Sequence, residues 1–198
     1  GGVIRVVGEA NHAGTTPMAA RRDALVAAAR VVLAVEALAT DGPADVATIG
    51  RLVAWPGVVN VVAGEAELTF DVRAADDGRA TAAVVELLGA LDRIREETRT
   101  AISFRALPLT AAVRTDPWLR ELVVEAAAAR RLPWCELASG AGHDVALLAP
   151  LGPVGMIFVP SSGGRSHCVQ EATAPDALVA GAEVLLDVLL KADRDLDA

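Results

Sequence analysis

The sequence predicts an α/β protein built from two domains, residues 1–112 and 113–198. Short segments in which apolar and polar residues alternate, as in strands, are interspersed with longer segments that repeat apolar residues at helical spacing. This rhythm changes after Pro108. A chain of 198 residues is long enough to form two small domains, each with its own core.

The first domain is predicted to contain six elements in the order strand, helix, strand, strand, helix, strand. The strands are expected at 2–10, 46–55, 66–74 and 102–106, and the helices at 20–40 and 77–99. This is the order of the split βαβ, or ferredoxin-like, unit, in which an antiparallel sheet carries both helices on one face. The other face of such a sheet is either wet or covered by a partner.

The second domain is predicted to alternate helices with extended segments. Asp116 can cap a helix whose first residue is Pro117. The later elements are expected to be an extended piece at 134–137, a helical segment at 144–148, an apolar extended run at 154–159 and a last helix capped by Thr173 and Asp176. So few strands would not complete a parallel sheet covered by helices.

Composition excludes several classes of function. The net charge of −8 argues against a nucleic-acid or anionic-membrane partner, because both require clustered Lys and Arg. No apolar run reaches the roughly 18 residues of a membrane helix, and no secretory signal is visible, so a cytoplasmic location is expected. Cys135 and Cys168 are expected to be reduced thiols.

A histidine lies in the middle of the predicted loop between the first strand and the first helix. The loop reads Gly-Glu-Ala-Asn-His-Ala-Gly-Thr-Thr-Pro-Met over residues 8–18, with the histidine at position 12. Gly14 gives conformational freedom and Pro17 fixes its own φ, so the loop can hold the His12 imidazole in one place. The alternative is an exposed loop histidine at a helix entry.

Three later segments combine glycines with polar or ionisable residues. They are 56–64 together with Phe70-Asp71-Val72-Arg73, then Ser139-Gly140-Ala141-Gly142-His143-Asp144, and then 156–161 leading to Ser166-His167. With the His12 loop and the Arg-Arg-Asp at 21–23, they resemble the zinc-dependent amidohydrolases of the M20 peptidase clan. The resemblance is to the branch of N-carbamoyl-L-amino-acid hydrolases, β-ureidopropionases and allantoate amidohydrolases, and it covers only the second half of such an enzyme.

The resemblance implies a function for each domain. Residues 1–112 would be a ferredoxin-like lid and dimerisation domain, and residues 113–198 the C-terminal portion of a metallopeptidase-like catalytic domain. The intact enzyme would be a cytoplasmic homodimer that uses two Zn²⁺ or Mn²⁺ ions and metal-activated water. It would hydrolyse a linear, non-peptide C–N bond in a small anionic substrate, an N-carbamoyl amino acid, a ureido acid or allantoate.

The metal site is expected to be incomplete in this chain. A catalytic zinc site needs about three protein ligands, and the sequence has three histidines but no His-x-Asp, His-Glu-x-x-His or Cys-x-x-Cys pattern. By resemblance, His167 is the C-terminal metal ligand, followed by Glu171, whereas residues alone leave an ordinary loop histidine as the alternative. The isolated chain is therefore expected to bind no metal fully and to be inactive.

Substrate contacts are also assigned by resemblance. Asn60 and Arg73 match a substrate-carboxylate pair, and a guanidinium suits a carboxylate because it donates two parallel hydrogen bonds. The alternative for Arg73 is a surface ion pair with a neighbouring acid. Gly142 and His143 match a second substrate-contacting loop, although a turn into a helix would use the same residues. His12 would stabilise the oxyanion in the active site of the opposite subunit.

Two competing functions remain open at this level. The 198 residues could act only as a dimerisation module with a catalytic remnant, or the enzyme could be an M20 peptidase or N-acyl-amino-acid deacylase. Glu96 and Glu97 could be mistaken for the paired glutamates that supply the general base in this clan. They lie on a predicted amphipathic helix among arginines, so we interpret them as part of a solvated, ion-paired face.

Overall fold

A computed structural model describes residues 1–107 and 111–196 and shows a mixed α/β architecture, as predicted. The chain divides into two compact units, Gly1–Ala112 and Val113–Ala198. Pro108, after which the sequence pattern changes, lies outside the described residues. No helix in the described part of the chain is long and apolar enough to cross a membrane.

The first unit is organised around a four-stranded antiparallel sheet. Its elements in chain order are β1 (Gly2–Val7), β2 (Asn11–His12), α1 (Ala24–Thr40), β3 (Val46–Trp55), β4 (Val61–Val62), β5 (Glu65–Arg73), α2 (Asp77–Thr98) and β6 (Ala101–Ala106). The sheet order is β3-β5-β1-β6, and β2 pairs with β4 in a separate two-stranded ladder. The longer strands and the two helices thus follow one another in the predicted order.

Both helices pack on one face of this sheet. On that face β1 and β5 present alternate side chains, so Ile4, Val6 and Leu68 are fully buried. The helical residues buried against them recur every three or four positions: Ala24, Ala27, Ala28, Val31, Val35 and Leu38 from α1, and Ala83, Leu87, Leu91 and Ile94 from α2. Asp23 caps α1 by accepting hydrogen bonds from the backbone N–H groups of Leu25 and Val26 at 3.0 and 3.2 Å.

The opposite face of the sheet is polar and carries ion pairs. Its pairs are Arg5 with Glu65 at 2.5 Å, Arg51 with Glu67 at 2.9 Å and Arg73 with Asp71 at 2.5 Å. Each pair is partly exposed and therefore adds little stability by itself. The predicted ion-paired character of α2 is also seen, because Glu97 pairs with Arg30 of α1 at 2.6 Å.

In the second unit, two long helices, α3 (Pro117–Ala129) and α5 (Pro175–Leu196), pack against each other. A short helix, α4 (Val145–Leu148), lies between them in the sequence. As predicted, Asp116 caps α3, accepting the Trp118 backbone N–H at 2.9 Å, with Pro117 as the first helical residue. The small core between α3 and α5 consists of Leu122, Ala126, Ala127, Val184 and Val188.

The described residues of the second unit contain no strand ladder. The runs at 134–137 and 154–159, which were expected to be extended, are not helical and pair with no other segment as strands, and among the described residues of this unit the only bridge joins Ser161 to Thr173. The predicted cap of the last helix is wrong, because α5 begins at Pro175. The Thr173 hydroxyl instead lies 2.8 Å from that of Ser161.

Candidate functional site

The short ladder of the first unit brings two predicted site residues together. His12 in β2 lies opposite Val61 in β4, and Asn11 lies opposite Val62. Immediately beyond this ladder, the Ala13 backbone N–H donates to the carbonyl oxygen of Asn60 at 2.9 Å. His12 and Asn60 therefore lie on adjacent backbones and are both exposed to solvent.

The loop that follows His12 is fixed by hydrogen bonds to His12 itself. The Thr16 hydroxyl and backbone N–H donate to the His12 carbonyl oxygen at 2.7 and 3.1 Å. The Gly14 backbone N–H donates to the Nδ1 atom of the His12 ring at 3.0 Å. On the other side, the Asn11 side-chain oxygen accepts the His12 backbone N–H at 2.8 Å. The imidazole is consequently anchored at one nitrogen while the residue stays exposed.

Arg21 holds the same loop from its far end, a role that the sequence did not suggest. Its Nε donates to the Thr16 carbonyl at 3.0 Å, and its Nη2 donates to the Ala13 carbonyl at 2.5 Å. Arg99, at the end of α2, donates in turn to the carbonyls of Ala19 and Arg21. The only hint in the sequence is an arginine at the end of a loop whose backbone carbonyls need donors.

Arg73 lies at the opposite end of the sheet from Asn60. Asn60 is in the 56–64 connection between Trp55 and Glu65, whereas Arg73 is the last residue of β5 and pairs with Val46. From Glu65 to Arg73 the strand advances eight residues, or about 26 Å at ~3.3 Å per residue. A single copy of this unit therefore does not bring Asn60 and Arg73 together.

The guanidinium of Arg73 is already engaged by a carboxylate. Its Nε lies 3.2 Å from each Asp71 oxygen, and its Nη2 lies 2.5 Å from Asp71 Oδ2. This charge-assisted hydrogen bonding lowers the pKa of Asp71 and raises the pKa of Arg73. The Arg73–Asp71 contact is the surface ion pair of the alternative interpretation, and its geometry shows that Arg73 can hold a carboxylate.

In the second unit, His143 is oriented by its own loop. Its Nε2 lies 2.6 Å from the Ser139 hydroxyl oxygen, which also accepts the Ala141 backbone N–H at 3.3 Å. The ring also makes an edge contact with Phe158, with centroids 5.5 Å apart. Gly142 is exposed and has no atom within 4 Å of the position of an added Cβ, so a ligand can approach its backbone. The loop also leads into α4, so the structure agrees with the alternative interpretation of Gly142 and His143 as a turn into a helix.

His167 lies in a loop closed by Glu171. The Glu171 carboxylate accepts the His167 backbone N–H at 3.0 Å and lies 3.5 Å from the Ser166 hydroxyl. His167 has a φ of 58°, an uncommon left-handed conformation for a residue other than glycine. Such residues are found at functional sites more often than elsewhere.

The donor chemistry of the described residues does not fit a complete metal centre. Over residues 1–107 and 111–196, no three His, Cys, Asp or Glu side chains are close enough to share a metal ion. His167 can therefore supply one imidazole ligand to a metal whose other ligands lie elsewhere.

Comparison with known proteins shows similarity along nearly the whole chain. The sequence model of peptidase family M20/M25/M40 matches residues 4–191. An N-carbamoyl-L-amino-acid amidohydrolase of Paenarthrobacter aurescens is 36% identical over 192 residues, which cover 96% of this chain and 47% of the relative. An allantoate amidohydrolase of Escherichia coli (strain K12) is 35% identical over 186 residues, covering 92% and 44% respectively.

Solved structures give the same result. The crystal structure of an amidase of the hydantoinase/carbamoylase family from Burkholderia multivorans superimposes with a TM-score of 0.88 at 35% identity. The match covers 96% of this chain and 46% of that one, so the chain spans about half the length of the proteins it matches. The resemblance inferred from the sequence motifs is thereby confirmed, and the chain belongs to peptidase family M20/M25/M40.

Proposed function

We propose that this chain forms part of a metal-dependent amidohydrolase that hydrolyses a linear C–N bond of an N-carbamoyl amino acid, a ureido acid or allantoate. The observation that carries the proposal is the pairing of β2 with β4, which puts His12 and Asn60 on adjacent backbones, both of them exposed. The similarity to enzymes named for N-carbamoyl amino acids and allantoate supports this choice of substrates.

His12 suits the carbonyl end of such a substrate. Attack of water on a ureido carbonyl develops negative charge on oxygen, and a preorganised donor to that oxygen is typically worth ~3 kcal/mol of barrier. The imidazole of His12 can supply that donor, while the Asn60 amide can add a hydrogen bond to the substrate carboxylate that Arg73 holds. Both side chains are exposed, so each is free to meet a substrate.

Arg73 suits the other end of the substrate, its carboxylate. The guanidinium already binds the Asp71 carboxylate through two nitrogens, and a substrate carboxylate would use the same fork. The substrate carboxylate would then either displace Asp71 from the Arg73 guanidinium or share the guanidinium with it.

We further propose that residues 1–112 are a ferredoxin-like lid and dimerisation domain of a homodimer, and that residues 113–198 are the C-terminal portion of the catalytic domain. The sheet order β3-β5-β1-β6, with both helices on one face, supports the first assignment. His143 and His167 support the second, as a candidate substrate contact and a candidate metal ligand.

The distance along β5 favours active sites shared between protomers. β5, about 26 Å long, lies between the 56–64 connection that carries Asn60 and Arg73 at its far end, and no small ureido acid spans that length. In a twofold dimer, however, His12 and Asn60 of one protomer can complete a site that contains Arg73 of its partner. Each of the two sites would then contain residues from both chains.

The metal centre implied by the family needs more ligands than the described residues offer. In the intact enzyme we propose two Zn²⁺ or Mn²⁺ ions, with His167 as one ligand. When bound, such ions supply a water that is activated for attack.

The test is hydrolysis by the full-length, metal-loaded protein. N-Carbamoyl-L-amino acids and allantoate should be cleaved with release of ammonia, while dipeptides and N-acetyl amino acids should be cleaved poorly. Preferential cleavage of the peptides or N-acetyl amino acids would identify a peptidase or deacylase instead. Failure to cleave any of them, with metal bound, would favour a purely structural module.

A further inference from the structure

We infer that Gly14 and Arg21 are positioning residues that hold His12 as the neutral tautomer with its proton on Nε2 and that nitrogen facing outward. The catalytic consequence rests on the proposed role of His12. The tautomer itself is a property of this chain and can be tested without any substrate.

The tautomer follows from the kind of donor that faces the ring. A backbone N–H can only donate, so Nδ1 of His12, 3.0 Å from the Gly14 nitrogen, must accept. A neutral imidazole that accepts at Nδ1 carries its proton on Nε2. His143 provides the contrast, because the partner of its Nε2 is the Ser139 hydroxyl, which can donate or accept.

A side chain at position 14 would also crowd the ring. A Cβ added to Gly14 would lie 3.2 Å from Cε1 and 3.5 Å from Nδ1 of His12. The imidazole would have to shift by a few tenths of an ångström, which disturbs the hydrogen bond that sets its tautomer. Gly152, in the second unit, has no atom within 4 Å of an added Cβ, so it offers a matched control.

Arg21 fixes the turn that carries this N–H. Its two donors bind the carbonyls of Ala13 and Thr16, the residues on either side of Gly14-Thr15. Thr16 in turn binds the His12 carbonyl through its hydroxyl and its N–H. A lysine has a single ammonium group and lacks the planar fork of a guanidinium. It would therefore not hold both carbonyls in fixed positions, as Arg21 does.

This arrangement suits a histidine that must donate a hydrogen bond to a developing oxyanion. Nε2 already carries the proton, and the loop fixes the orientation of the ring, so little reorganisation is needed when negative charge develops on the substrate oxygen. If the ring could flip or exchange tautomers, an unprotonated nitrogen would face the substrate in a fraction of the molecules.

The decisive experiment is NMR of the ¹⁵N-labelled 198-residue chain at about pH 8, where an ordinary imidazole is neutral. We expect a scalar coupling across the hydrogen bond between the Gly14 amide nitrogen and Nδ1 of His12, and a long-range ¹H–¹⁵N pattern of the Nε2–H tautomer. Signals are assigned with His12→Gln. A missing coupling in the unsubstituted chain, or a proton on Nδ1, would overturn the inference.

Variants then separate the two positioning residues. Gly14→Ala and Arg21→Lys should weaken or abolish the coupling, whereas Gly152→Ala and Arg22→Lys should keep it, and amide spectra of all four confirm folding. In the full-length enzyme, Gly14→Ala should lower kcat about 10-fold with little change in KM. Equal coupling in Gly14→Ala and the unsubstituted chain would contradict the role of Gly14.

The outcomes distinguish this inference from the proposed function. If the coupling is present but His12→Gln leaves hydrolysis unchanged, the proposed role of His12 fails and the positioning of its ring stands. If His12→Gln abolishes hydrolysis but the coupling is absent, the positioning inference alone is wrong.

Discussion

Complementation between two inactive variants tests the shared active site. Arg73 ends β5, and Asn60 lies in the connection at the other end of this strand, which is about 26 Å long, so in our proposal they contribute to different sites of the dimer. Removing either side chain leaves a substrate group without its partner. Losing a hydrogen bond to a charged group in this way typically costs about 2–5 kcal/mol, so Arg73→Ala should be at least ~30-fold less active.

Mixing the two variants should restore activity by a predictable amount. After subunit exchange between equal amounts of Asn60→Ala and Arg73→Ala, half of the dimers are mixed, and one of the two sites in each mixed dimer is intact. The mixture should therefore regain about a quarter of the unsubstituted activity, measured as ammonia release from an N-carbamoyl amino acid or allantoate.

The matched control combines His12 of the ladder with Asn60 immediately beyond it. The two residues lie on adjacent backbones, so in our proposal they serve the same site, and mixing His12→Ala with Asn60→Ala should restore nothing. Our reasoning would be refuted if the Asn60→Ala and Arg73→Ala mixture stayed inactive after exchange had been verified by mass spectrometry. Recovery in the control would equally contradict the arrangement.

Four further predictions follow from the same structure. The isolated 198-residue chain should bind Zn²⁺ weakly and show no hydrolase activity, because His167 is its one proposed metal ligand; calorimetric binding tighter than micromolar, with turnover, would contradict this. The same chain should sediment as a dimer at high micromolar concentration, and a monomer would count against the proposed dimerisation domain. In the full-length enzyme, His12→Ala should lower kcat ~100-fold or more at unchanged metal content, whereas His167→Ala should lose metal, both checked by steady-state kinetics and metal analysis. Asp71→Asn should lower KM several-fold, because the substrate no longer competes with an internal carboxylate for Arg73. The same substitution should lower the free energy of unfolding, measured in urea, near pH 7. This difference should vanish as the pH falls below ~3.9 and through the lowered pKa of Asp71, since the ion pair requires the charged acid.

Local signals in the sequence predicted much of this fold. The helical spacing of Leu87, Leu91 and Ile94 and the alternation of Ile4 and Val6 correspond to buried faces in the structure. In the first helix the expected stripe was partly wrong, because Ala28 and Val35 are buried but Leu25 is 44% exposed. These signals suffice because each element buries one regular stripe. The cap of α3 was predictable for a similar reason, since an acid followed by proline is itself a complete helix-start signal.

Features that depend on contacts between distant segments were not predictable. The ladder of β2 with β4 has only two residues in each strand, too few for a recognisable periodicity, yet it places His12 beside Asn60. The position of Arg73 relative to Asn60 requires the strand register. The apolar run at 154–159 likewise depends on a distant segment, because an extended apolar segment becomes part of a sheet only where another strand is available to pair with it.

The two units differ in how much of each is buried, and this difference should govern how the chain unfolds. The first unit has a continuous core from Ile4 to Ile94, whereas the second unit has only the small cluster between α3 and α5, and Leu178, Leu186 and Leu190 of α5 are more than half exposed. Regions with few buried contacts open at lower free energy than a continuous core. Amide hydrogens of α3 and α5 should thus exchange with solvent before those of β1 and β5, and thermal unfolding should show two transitions, so that a single melting temperature would not describe this chain.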